Sequence, residues 1–177
     1  MITMIKTIII LAFSLSLTSG SDVKKATSTD LSVFGPQLVT YQNAEEPVEL
    51  QRLRQQLAVH KSRGNKLGMA EIYHRMGIWH KRTGQYQIAQ QRFYQALVLL
   101  ENLRHEEAIA FTCLQIGTTY SYQEKYSEAL HYLFRSKNIA RKRSLTQLGR
   151  DLNQHIAFAY NSMGKYQEAH KYRQQID

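Results

Sequence analysis

Cysteine is nearly absent from this chain: Cys113 is the only one in 177 residues. No internal disulfide can brace the fold, so stability has to come from packing. Cys113 itself sits inside an apolar helical pattern and reads as a small core residue. Proline and glycine are sparse too, 2 and 9, which frees long stretches from the two commonest helix interrupters. The 7 histidines include no His-x3-His pair and no HExxH motif. No two histidines are therefore placed one turn apart on a helical face, and no metal is expected. A glycine-rich phosphate loop, a serine elbow and paired carboxylates in a constrained turn are also missing. Glu45-Glu46 and Glu106-Glu107 lie where helices start, and acids there complement the helix dipole. No cofactor is expected, and the chain does not read as an enzyme. Acids are outnumbered, 14 against 23 Lys and Arg, for a net charge of +9. The basic residues are scattered along helices without a tract of five, so nucleic acid is not an expected partner.

What is present begins with a leader. Met1–Lys6 carries one positive charge, Thr7–Leu17 is apolar or hydroxylic, and small residues follow from Thr18 to Ser21. The pattern predicts a secretory signal peptide over residues 1–21, hence an exported protein, periplasmic or secreted. The uncharged stretch Thr7–Ser21 is shorter than the ~20 residues that span a bilayer comfortably. Membrane attachment follows only if the segment stays uncleaved, which is the alternative localisation. Residues 22–44, with Gly35-Pro36 and few periodic apolar positions, read as a flexible lead-in.

The remainder, 45–177, repeats itself. Shifted by 40 residues, Tyr86, Tyr126 and Tyr166 fall in register, as do Ala89, Ala129 and Ala169. Twelve residues earlier stand Gly77, Gly117 and Ala157, and three after those come His80, Tyr120 and Tyr160. Paired small residues let two helices approach backbone to backbone, and large neighbours such as Phe93 and Leu97 fill the flanks. Ala89, Phe93, Ala96, Leu97 and Leu100 step by three and four along one helical face. Short polar turns with Gly84, Glu124-Lys125 or Gly164 join the helices, and glycine there can take the left-handed conformation that ends a helix. The period predicts stacked helix-turn-helix hairpins with helices over 46–62, 66–82, 86–101, 105–122, 126–141, 146–162 and 166–176.

These residues resemble the tetratricopeptide repeat family. Tyr73, Met76, Gly77 and His80, followed by Ala89, Phe93 and Ala96, take the family's Trp-x2-Leu-Gly-x2-Tyr and Ala-x3-Phe positions. Cys113, Ile116, Gly117 and Tyr120, with Ala129 and Leu133, repeat the pattern. The third unit has Ile156, Ala157, Tyr160 and Ala169, but Arg173 where the Phe belongs. Repeats run over about 70–103, 110–143 and 150–177, with a partial one upstream at 45–63, where Pro47 is expected in the first turn of a helix. The period departs from the family's usual ~34 residues, and the proline that normally ends the second helix is missing.

The resemblance implies an all-α, right-handed α-α superhelix that binds a protein or peptide. The first helix of each hairpin would line a groove. In the first unit that groove would hold Glu71, His74, Ile78, Lys81 and Arg82. The second unit would offer Phe111, Leu114, Thr118, Ser121 and Tyr122, and the third Asp151, Gln154, Phe158, Asn161 and Ser162. Some of these are expected to pack within the array. The charged slots do not match the family's carboxylate clamp. Arg135, Lys137, Arg141, Lys142 and Arg143 cluster toward a helix end, where they complement the exposed carbonyls or meet an anionic partner. The longer period also resembles arrays in bacterial sensory proteins, which implies, as an alternative, the input portion of a signalling protein. The last hairpin lacks a polar capping helix, so self-association through that end is a further expectation.

Overall fold

Turn chemistry sets the rhythm of the chain. In the computed structural model, which describes residues 47–176, left-handed backbone recurs every twenty positions. It occurs at Gly64, Gly84, Arg104, Glu124, Ser144 and Gly164, with φ between 54° and 76°. At each of these the next amide bonds back to the carbonyl five residues before it, as Asn65 does to His60 and Lys165 to Tyr160. The left-handed residue's own amide reaches the carbonyl three before it, as Gly84 does to Lys81. This double closure is the Schellman arrangement, and it satisfies the carbonyls that a helix end otherwise orphans. Only three of the six positions are glycine, so Arg104, Glu124 and Ser144 carry the steric cost of a Cβ in that conformation.

Between these turns lie seven helices: α1 (Val48–Ser62), α2 (Lys66–Arg82), α3 (Tyr86–Asn102), α4 (Glu106–Ser121), α5 (Tyr126–Lys142), α6 (Thr146–Ser162) and α7 (Tyr166–Arg173). The described residues form no strand. The signal segment 1–21, the lead-in 22–44, the first residues of the partial repeat and Asp177 lie outside the described residues. Two boundaries differ from expectation by more than one residue. Pro47 is the N-cap of α1, with φ −51° and ψ 133°, rather than a first-turn residue. Its ring fixes φ, and the extended ψ keeps it just outside the helix. The last helix closes at Arg173, with Gln174 as its C-cap, instead of running to 176. Side-chain caps are few: Asn65 Oδ1 accepts the Gly68 amide at 2.9 Å, and His105 Nδ1 accepts that of Ala108 at 3.4 Å.

The recurring small residues mark the closest approaches. A Cβ on Gly77 would lie 2.5 Å from the Phe93 ring, and one on Gly117 2.8 Å from Leu133 and 3.1 Å from the Ala129 carbonyl oxygen. Helix α2 thus presses on α3, and α4 on α5, with no room for a methyl group. Ala89, Ala129 and Ala169 are fully buried opposite them, and Ala157 is buried in α6. In the third hairpin Arg173 replaces the bulky partner; its Nη2 donates to Asn161 Oδ1 at 3.0 Å at the surface. Three linked apolar clusters run along the stack, around Leu53 and Met76, around Phe93 and Ile116, and around Leu133 and Ile156. Cys113 is buried in the middle cluster, and burial pushes its thiol up to about 11.

An aromatic joint repeats between hairpins. The Tyr94 hydroxyl is hydrogen-bonded to Tyr120 at 2.9 Å and donates to Tyr132 at 3.1 Å, while Tyr120 and Tyr132 stack at 5.8 Å. One period on, Phe134, Tyr160 and Tyr172 meet the same way, and the latter two stack at 5.7 Å. Polar ties add to these contacts. Arg135 pairs with Glu101, and Arg143 Nε donates to Glu106 Oε2 at 2.7 Å. Lys137 Nζ donates to Asn153 at 2.6 Å and Gln175 at 3.0 Å and lies 4.5 Å from the centre of the Tyr172 ring. Arg135 and Lys137 therefore bind neighbouring repeats and Arg143 the first helix of its own hairpin, while Arg141 and Lys142 stand exposed.

Candidate peptide-binding groove

Helices α2, α4 and α6, the first of each hairpin, stand side by side, and two sets of hydrogen bonds tie α2 to α4. His74 Nδ1 bonds Thr112 Oγ1 at 3.1 Å. Seven residues on, Lys81 Nζ donates to Gln115 Oε1 and, at 3.2 Å, to Thr118 Oγ1. His74, with its ring edge-on to Phe93 at 5.5 Å, is held down at about 4 by burial first and the Lys81 charge second. Burial also lowers Lys81, and burial and Lys81 together lower His155 on α6, against the opposing pull of Asp151. Lys81 is thus the cation that both neighbouring rings sense.

The expected groove residues divide by burial. Phe111, Tyr122 and Phe158 are 46%, 64% and 55% exposed, a large apolar area for side chains of this type. Glu71, Arg82, Gln154, Asn161 and Ser162 are exposed as well, while His74, Ile78, Lys81, Ser121 and Asp151 are half-buried. Leu114 and Thr118 are different, at 8% and 6%. Leu114 belongs to the core cluster around Leu133, and Thr118 spends its hydroxyl on Lys81 and the Gln115 carbonyl. Two aromatic contacts frame the exposed set: Tyr86 stacks on Tyr122 at 5.6 Å, and Tyr126 meets Phe158 at 6.4 Å.

Two hollows open between these helices. One of about 350 Å³ lies between α2 and α4 and is lined by Leu67, Ala70, His74, Leu100, Ala108 and Phe111 among others. The second, of about 290 Å³, lies between α4 and α6, among Thr118, Ser121, Tyr122, His155 and Phe158. The sequence register missed Gln115, Thr112 and His155. It also missed the aromatic joint, although Tyr94 with Phe134 and Tyr132 with Tyr172 recur at the same 40-residue shift. Among the described residues no group of three His, Cys, Asp or Glu side chains could hold a metal, and no helix is long and apolar enough to cross a membrane.

Residues 68–142 match the family model of the tetratricopeptide repeat, which spans the hairpins α2–α3 and α4–α5. Among solved structures, the chain is similar to the tetratricopeptide domain of Arabidopsis FLU, at 21% identity and a TM-score of 0.58, over 60% of this chain and 90% of that one. It is also similar to a putative kinesin light chain from Podospora anserina with nearly identical tetratricopeptide-like repeats. That match has 17% identity and a TM-score of 0.52, over 78% of this chain and 79% of the other. No curated protein matches the sequence. Two hairpins thus carry tetratricopeptide repeats, a third follows in the same 40-residue register, and the array has the fold of tetratricopeptide domains; repeats of this kind imply a protein-interaction scaffold.

Proposed function

We propose that this chain is a non-catalytic scaffold that holds a protein or peptide partner along the face of α2, α4 and α6, in an exported protein. One observation carries the binding face: Phe111, Tyr122 and Phe158 stand exposed on first helices, next to hollows, while their neighbours are hydrogen-bonded or buried. Rigid aromatic anchors surrounded by polar groups are what peptide grooves use to gain affinity. Export rests on the leader pattern of residues 1–21. A display selection of random peptides on the full chain tests the face. The selected peptides should lose binding to a Phe111→Ala, Tyr122→Ala, Phe158→Ala triple variant that still melts as a folded protein. Peptides that bind the triple variant as well as the native chain would place the site elsewhere.

The 40-residue period also supports a second reading, the input portion of a signalling protein. A transmembrane segment or kinase domain encoded in frame would favour it, and a stop codon followed by an unrelated gene would remove it.

A further inference from the structure

The hollow between α2 and α4 opens beside Ala108, a small side chain where the next repeat carries a large one. Ala108 and His105 occupy the slots that Leu148 and Leu145 fill one period later. In the later repeat Leu148 is buried in the core cluster and Leu145 packs against it. In the earlier one the equivalent space stays open as an apolar socket of about 350 Å³, with Phe111 at its exposed rim and His74 on its wall. Two helical turns along α2 from His74 stands Lys81. A seven-residue step is about 10 Å of helix, the span of roughly three residues of extended chain. The Lys81 ammonium has three donors, of which Gln115 and Thr118 take two. Among the described residues no carboxylate pairs with it. A partly buried cation without a counter-charge strengthens any anion that reaches it, because the site excludes much of the solvent that would screen the pair.

We propose that the groove recognises a peptide segment carrying an apolar side chain for this socket and, about three residues away, an internal acidic side chain for Lys81. The proposal rests on the groove reading above and names the chemistry of its partner. The probes are acetylated, amidated nonapeptides on a Gly/Ser background. They carry Leu or Ala at one position and Glu or Gln three residues from it, in both orders, and binding to the full chain is followed by calorimetry.

The Leu-and-Glu peptide should bind about tenfold or more tighter than its Gln counterpart, as expected for a charge-assisted hydrogen bond. That preference should shrink as salt rises. Lys81→Met should abolish the Glu preference and leave the Leu preference. Ala108→Leu, which copies the residue of the next repeat, should abolish the Leu preference and leave the Glu preference. Equal binding of the Glu and Gln peptides, a Glu preference indifferent to both salt and Lys81→Met, or no binding by any peptide of the set overturns the proposal. If Glu and Gln peptides bind alike and the aromatic triple variant loses both, the groove stands and only its acidic specificity falls. If binding survives the triple variant, the groove falls too.

Discussion

His74 shows how one buried ring makes this fold sensitive to acid. Burial, then the charge of Lys81, holds it at about 4 against an ordinary 6.5. The unfolded chain therefore binds a proton at this ring that the folded one refuses throughout that interval. Its contribution is fully present above pH 6.5 and is lost as pH falls towards 4, on the order of 3 kcal/mol in all. His155, lowered for the same first reason, adds to the slope. His74→Gln, which retains a hydrogen-bonding group for Thr112, should flatten the stability profile between those pH values in urea titrations. An unchanged slope would mean that other groups carry it. The turn residues give a second residue-scale expectation. Glu124 is held at φ 60°, where a side chain costs roughly 1 kcal/mol. Glu124→Gly should raise the urea midpoint, and Gly84→Ala, at φ 76°, should lower it. Equal and opposite shifts to these would show that unfolded-chain entropy outweighs the left-handed strain.

At the scale of helices, packing is decided where glycine meets a large neighbour. Gly117→Ala puts a methyl group 2.8 Å from Leu133 and 3.1 Å from the Ala129 carbonyl. The backbone oxygen cannot rotate away, so overpacking of about 1–3 kcal/mol should outweigh the helix propensity gained, about 1 kcal/mol. Thermal melts should show a loss. The loss from Gly77→Ala, which meets the Phe93 ring at 2.5 Å, should be smaller in a Phe93→Leu background, because leucine lacks the ring carbons that the new methyl group would meet. Additive losses in the double variant would mean that the two positions do not share one contact. These helices were legible in the sequence to within a few residues, since small and large side chains recur at fixed spacing and every turn closes in the same way. The departures have local causes: Pro47 keeps its own backbone extended, and Arg173 supplies no bulk to extend the last helix into the core. The groove was only partly legible. Register alone places Phe111 and Phe158 and also Leu114 and Thr118 on one face. The neighbouring first helix then covers the second pair, and burial of that kind depends on how helices cross.

Seen as a whole, the array is a line of hairpins whose joints are partly polar. Tyr94, Tyr120 and Tyr132 join one pair through hydroxyls, whereas Phe134 closes the next with none. Tyr94→Phe should therefore cost only about 0.5–1.5 kcal/mol, and scanning calorimetry should show the transition still single. Of the basic side chains, Arg135 and Arg143 are paired with Glu101 and Glu106. Among the described residues no carboxylate pairs with half-buried Lys81 at the groove, where a charged partner gains most.

Backbone amide chemical-shift mapping of the full chain with a display-selected peptide tests the groove most directly. The account predicts perturbations on α2, α4 and α6, centred on His74, Lys81, Phe111, Tyr122 and Phe158, with α3 and α5 largely silent. A perturbed surface confined to α3 and α5 would contradict it.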